Sequence, residues 1–367
     1  MLVKYQTVKN LVALFMILVP AGIVQAAEKP WNETLAAARK EGKVVVSGAP
    51  DPVMRNEVIP AFTKRFGIAV DYIAGRSGNF VERVKVERAS GVYSVDVYLP
   101  GSDTMFNVLY PEKMIDPLKP MLVLPEVTDP KKWKQGKLWF MDPEGEYVLR
   151  LFNSVDSLLF INADFVKPEE MSKIEDLLNP KWRGKISTED PRLDSGNGGN
   201  TAARFYKQLG PDFVKKLYID QKPVVSRDRR QFTDWLARGT QPICISCRED
   251  DVRHLRKEGF NLLKIYNLKG LVTSVNASPL LVAAANKAPH PNATRVLLNW
   301  LAGKEALEIY SRGFDAATLR TDVDESFLDP RLIPDPGVQY PDTADPNWRA
   351  VEKPEIIKKI GVLLKDL

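Results

Sequence analysis

Small and hydroxylic residues gather at three places in the N-terminal third of the chain: Ser47-Gly48-Ala49, Gly75-Arg76-Ser77-Gly78 and Pro100-Gly101-Ser102-Asp103. Glycine lets a backbone approach another molecule closely, and serine offers a hydroxyl. Arginine presents a planar fork of donors that matches a carboxylate or phosphate. Each cluster alone is ordinary turn chemistry. Three of them, each following an apolar run that reads as a strand, outline a crevice with donors for an anion. A fourth cluster, Asp194-Ser195-Gly196-Asn197-Gly198-Gly199-Asn200, runs into a helical stretch from Thr201 to Leu209. Such a loop is either a plain surface turn or a place where backbone N–H groups and a positive helix end converge on a carboxylate or phosphate.

Other chemistry finds less support. The only cysteines, Cys244 and Cys247, form a C-x-x-C pair, with no second pair to complete a zinc site and only two histidines in the chain. If the strand Pro242 to Ser246 stayed extended through Cys247, the two thiols would point to opposite faces, out of bonding reach. A turn starting at Ser246 would remove that objection. A structural pair, unpaired thiols and a redox pair therefore stay open. His290, in Pro289-His290-Pro291-Asn292, reads as a helix-entry residue with Asn292 as the cap, and His254 stands among Arg253, Arg256 and Lys257 on a solvated helix face. No G-x-S-x-G elbow occurs, and neither histidine stands where it would activate a nucleophile. An enzyme is not expected, and no cofactor is implied.

The segments that must position these residues alternate regularly. Trp31, Leu35 and Ala38 share a helical face that Gly42 ends, and Lys43 opens the buried-strand run Val44-Val45-Val46. Met54, Val58, Phe62 and Phe66 recur at helical spacing, with Pro60 marking a break or kink. A strand from Ile68 to Ile73, a helix through Phe80, Val84 and Arg88, and a strand from Asp96 to Leu99 complete the rhythm. It predicts a parallel sheet with helices on both faces. Strands at 185–188, 242–246 and 262–266 belong to a second α/β unit. Leu149 to Ile161 and Leu271 to Ala285 read as crossings between the units; an Asp- and Pro-rich wrap from Asp322 to Trp348 leads to a terminal helix. A chain of 367 residues suits two domains at ~150 residues each. At the start, Lys4 and Lys9 precede the apolar run Leu11 to Val19, followed by Val24-Gln25-Ala26. This is the layout of a cleaved secretory leader, too short in its apolar part to span a bilayer. Without residues 1–26, which hold two lysines and no acid, the formal net charge falls from +5 to +3. The charges are interspersed, with no basic stripe, so nucleic acid is not an expected partner.

Several stretches taken together resemble one family. Val45 to Asp71, centred on Phe62-Thr63-Lys64-Arg65-Phe66-Gly67-Ile68, is similar to the opening of bacterial extracellular solute-binding proteins. So are Arg83 to Asp96 and Asp176-Leu177-Leu178-Asn179-Pro180-Lys181-Trp182-Arg183-Gly184-Lys185-Ile186. Ala288-Pro289-His290-Pro291-Asn292-Ala293 and Leu298-Asn299-Trp300-Leu301 resemble that family's closing region. The resemblance runs from about residue 30 to 320 and points to the binding proteins of ABC importers, among them ferric-iron-binding proteins and relatives that take phosphorylated or other organic anions. It implies a type 2 periplasmic-binding-protein fold: two α/β lobes, each a mostly parallel sheet flanked by helices, joined by two crossing strands and closing on the solute. The expected division is a leader at 1–26, a first lobe at 27–155 and 275–367, and a second lobe at 156–274. The implied role is that of a non-catalytic, monomeric periplasmic carrier, handing a small molecule to an ABC permease at the inner membrane.

The family's ferric members hold iron through neighbouring tyrosines shortly after a second-lobe strand. That strand corresponds to Pro242 to Ser246, and the residues that follow are Cys247-Arg248-Glu249-Asp250-Asp251. No tyrosine pair occurs anywhere in the chain. An anionic organic or phosphorylated ligand is therefore expected, with ferric iron held by carboxylates as the alternative. The expected contacts are Ser47, Arg76, Ser77 and Ser102 from the first lobe. The second lobe is expected to supply Ser195, Gly196, Asn197, Gly198, Asn200 and Arg248. No metal ligand is assigned.

Overall fold

A computed structural model describes residues 21–367 apart from 76, 157, 158, 195, 267 and 278; for residues 21–29, 77–80 and 250 only the backbone is described. Most of the expected leader thus lies outside the described residues. In chain order the strands are β1 (Lys43–Gly48), β2 (Ala69–Ala74), β3 (Val97–Leu99), β4 (Ile115–Asp116), β5 (Leu149–Arg150), β6 (Ser154–Val155) and β7 (Leu159–Asn162). They continue with β8 (Ile186–Glu189), β9 (Val224–Ser226), β10 (Ile243–Ile245), β11 (Leu262–Ile265), β12 (Val275–Asn276) and β13 (Leu281–Ala285).

The first sheet runs β2-β1-β3-β13-β4, with β5 pairing β13. β1 is parallel to β2 and β3, while the returning β13 is antiparallel to β3 and β4. The run Val44-Val45-Val46 is buried throughout because packed side chains cover both faces of the sheet. Side chains alternate between those faces: Val97 and Leu99 join one core with Phe62 and Trp300, and Tyr98 joins the opposite core with Met105 and Phe106. Pro60 falls where the π-helical turn Met54–Val58 meets the Ile59–Phe66 helix. Helical conformation runs unbroken from residue 52 to 66, so Pro60 does not separate two helices; its missing N–H falls just after the π-helical turn, where the backbone ladder is already irregular. Buried Asp96 accepts from Val45 N (2.7 Å), His290 N (2.7 Å) and His290 Nδ1 (2.8 Å), so His290 is a structural residue at the entry of the Pro291–Leu301 helix. Asn292 does not cap that helix. Its first amides are met instead by the Glu41 carboxylate, 3.2 Å from Asn292 N and 2.7 Å from Ala293 N.

The second sheet runs β11-β7-β10-β8-β9, parallel over β10, β8 and β9 and antiparallel at β7. Between the sheets, β6 and β12 pair antiparallel, Val155 opposite Val275, and form the crossing that the sequence pattern implied. A third segment joins them: Val275 N donates to Pro341 O and Thr343 N to Val275 O, each at 2.9 Å.

One expectation fails here. The C-terminal helix, Lys353–Leu363, was expected with the first lobe, yet Ile357, Ile360 and Leu364 pack with Trp348 into the second core, beside the Asn197–Lys215 helix. The apolar spacing of that helix fixes that one face is buried. It cannot say against which lobe.

Candidate functional site

In both sheets the carboxyl ends of parallel strands run into loops that open helices, which is where an open α/β sheet offers a crevice. In the first lobe these openings are at Ser77, which starts the Ser77–Ala89 helix, and at Ser102, which starts the helical turn Ser102–Thr104 after extended Gly101. Ser102 is half-buried. Arg76 lies outside the described residues, and of Ser77 only the backbone is described. Ser47 is placed differently from a solute contact. It is buried within β1, and its Oγ donates to Ile73 O at 3.3 Å, stitching β1 to β2. The next residue must be glycine: a Cβ at Gly48 would lie 2.8 Å from Leu99 O and 2.9 Å from the Tyr72 hydroxyl. That hydroxyl donates to Ala49 O and ties the loop down. Burial, with the Asp51 charge beside it, pushes the Tyr72 phenol well above its ordinary value.

The second lobe's wall is organised around Ser246. It sits at φ 72°, a left-handed conformation uncommon for a residue with a side chain. Its Oγ accepts from Glu189 N (3.0 Å) and lies 3.3 Å from Thr188 Oγ1, and its carbonyl accepts from Asn197 Nδ2 (3.3 Å). One residue thus joins the end of β8, the start of the Asn197–Lys215 helix and the turn after β10. The same turn resolves the cysteine question: Cys244 and Cys247, with Cα atoms 5.8 Å apart, form a buried disulfide around Ser246. Closing so short a loop stabilises the fold by about 2 kcal/mol in the chain-entropy picture. Cys247→Ser is expected to lower the unfolding free energy by that order, read from urea denaturation; no change would mean that the hydrogen bonds alone hold the turn.

The Ser195 loop is only partly as the sequence implied. Ser195 lies outside the described residues. Gly196 turns the chain at φ 89°, and Asn197 opens the helix. Gly198 N, expected to face a solute, donates instead to Glu189 Oε2 at 2.8 Å, so an internal carboxylate occupies this end of the helix. Asn200 is buried and accepts from Trp348 Nε1 at 3.3 Å, a contact to the C-terminal segment. Arg248 precedes the Glu249–Lys257 helix at its N-cap position, half-buried. Glu189 escaped the sequence reading, and Ser246 entered it only as the start of a possible turn between the cysteines; the one available signal for Glu189 was its place at a strand end, which it shares with many unremarkable residues. Among the described residues, no group of three or more His, Cys, Asp or Glu side chains is placed to hold a metal ion. No helix among them is long and apolar enough to cross a membrane.

Residues 43–314 match the family described as bacterial extracellular solute-binding protein. The chain belongs to this family. A curated relative of the binding protein, iron uptake protein A1 of Synechocystis sp., is 28% identical over 131 residues, 36% of this chain and 33% of the relative. The match therefore spans about a third of that relative's length. Two solved structures share the fold. Iron-bound HitA from Pseudomonas aeruginosa has a TM-score of 0.65 at 16% identity, over 87% of this chain and 99% of that one. AfuA from Actinobacillus pleuropneumoniae, with fructose-6-phosphate bound, has a TM-score of 0.64 at 18% identity, over 88% and 99%. At these identities the likeness establishes the two-lobed periplasmic-binding architecture of this solute-binding protein, and the solute has to be argued from its own residues.

Proposed function

We propose that this binding protein is a periplasmic carrier that closes its lobes on a small anionic organic or phosphorylated solute and delivers it to an ABC permease. The observation that carries this reading is Arg248, seated where the Glu249–Lys257 helix opens, beside the turn that Ser246 holds against Asn197. A guanidinium at a helix N-terminus adds a fixed positive charge to a positive helix end and favours a carboxylate or phosphate. Ser102 and the loops at 76–77 and 195–197 would supply further donors. Gly198 and Asn200 are less suited, since both groups are engaged inside the protein.

The second reading is ferric iron, favoured by the named function of the Synechocystis relative and by the iron in HitA. Two features count against it. The chain has no neighbouring tyrosines, and the phenol beside the first-lobe loop, Tyr72, is pushed away from ionisation.

A thermal-shift panel of organic and phosphorylated anions with ferric salts included separates the two readings. A solute at about 100 times its Kd stabilises the native state by about 2.7 kcal/mol. Response to one anion class supports the proposal, and response to ferric salt alone overturns it. For an anion so found, Arg248→Ala is expected to weaken binding about 10- to 100-fold by titration calorimetry, as for a lost charged hydrogen bond. Wild-type affinity in that variant would remove Arg248 from the site.

A further inference from the structure

We propose that the lobes are held together by a charge latch carried on the C-terminal segment, so that closure does not wait for the solute. The segment from Trp348 onward belongs to the second lobe: Trp348 is buried in its core, and the Lys353–Leu363 helix lies along the Asn197–Lys215 helix. From that anchorage two cations reach the first lobe. Arg349 Nη1 lies 3.1 Å from each carboxylate oxygen of Asp103, and Lys353 Nζ donates to the same carboxylate. Lys353 also donates to Asp194 O of the second lobe at 2.6 Å, so its ammonium sits between the lobes. Its side chain is 1% exposed and that of Arg349 is 11% exposed.

Asp103 adjoins Ser102 in the first-lobe loop, and its position relative to these cations is set by how far the lobes close. Moving the lobes apart would leave two cations in a largely dehydrated setting without their carboxylate until water replaced it. Burial already pushes the Lys353 ammonium below its ordinary value, with Asp103 opposing that push and Arg349 adding to it.

A second clasp lies between other elements. Arg253, on the Glu249–Lys257 helix of the second lobe, donates through Nη1 to Gly313 O and to Arg312 O (3.3 Å), and its Nη2 is 2.9 Å from Asp315 Oδ2. Those carbonyls end the Lys304–Phe314 helix of the first lobe, where unsatisfied C=O groups and the negative end of the helix favour a cation. Neither clasp uses a residue proposed to touch the solute. Both span the two lobes.

The test is small-angle scattering of the solute-free protein, with Asp103→Asn, Arg349→Gln and Arg253→Gln as variants and far-UV circular dichroism as the control for folding. The wild type is expected to scatter as a closed two-lobed molecule, and each folded latch variant to show a larger radius of gyration. An extended solute-free wild type overturns the proposal. So does an unchanged radius in every variant that folds; if Asp103→Asn fails to fold, the two arginine variants decide. No arm uses a solute, so the result stands apart from the anion reading.

Discussion

Gly199→Ala is expected to cost about 3 kcal/mol or more of folding stability, while Gly361→Ala, on the helix packed against it, is expected to gain about 0.5–1 kcal/mol. A Cβ at Gly199 would lie 1.8 Å from Leu193 O, a backbone atom that cannot swing aside, and 3.2 Å from Ile357 Cδ1. Relief would require the Asn197–Lys215 helix to shift or the 190–196 loop to be rebuilt. Either movement displaces Asn197 from Ser246 and Gly198 from Glu189. At Gly361 the same atom meets nothing within 4 Å, so only the helix-propensity gain remains. Opposite signs for one chemical change on two packed helices isolate the close approach from the general cost of glycine. Urea unfolding of both variants measures this, and equal effects would show that the loop yields easily. Because the loop at 194–197 lies in the proposed crevice, a folded Gly199→Ala protein should also bind its solute more weakly.

The contrast between those glycines marks what the sequence could reveal. Periodicity placed β1, β2, β3, β8, β10 and β11, because buried strands in such sheets demand continuous apolar runs and helices demand recurrent ones. It also implied the crossing later found at β6 and β12. What it could not give was direction at single residues. Ser47 and Asn200 are of types that suit a binding site, yet one is spent on Ile73 O and the other on the Trp348 indole. The disulfide depended on a left-handed conformation at Ser246, which no residue pattern announces for a serine. Glu189 fills the helix end that a glycine-rich loop had suggested for a solute, and Asp103 meets partners about 250 positions away. Contacts of that span depend on how the C-terminal segment is routed, and its routing is set by Trp348, Ile357 and Ile360 finding the second core.

Arg150→Met is expected to lower stability by about 3–5 kcal/mol, because this buried guanidinium ties three segments together where the lobes meet. Arg150 is 1% exposed and ends β5 in the first sheet. Its Nε donates to Phe152 O at 2.8 Å and its Nη2 to Asn153 Oδ1 at 2.5 Å, which fixes the chain just before β6. Its Nη1 pairs with Asp342, on the segment that adds to β12 through Thr343. Removing the guanidinium leaves a buried carbonyl and a carboxylate without their donor. Asp342 is 26% exposed and can recruit water, which argues for the lower end of the range. Arg150→Lys should recover little, since one ammonium cannot serve three acceptors in fixed directions. Asp342→Asn added to Arg150→Met should recover part of the loss by removing the uncompensated charge, and the double-mutant cycle reads the coupling. Purely additive losses would mean that Arg150 acts through Phe152, Asn153 and its packing, without coupling to Asp342. A coupling of 1 kcal/mol or more, roughly the scale for contacting residues, would establish that the third interlobe segment is held by charge.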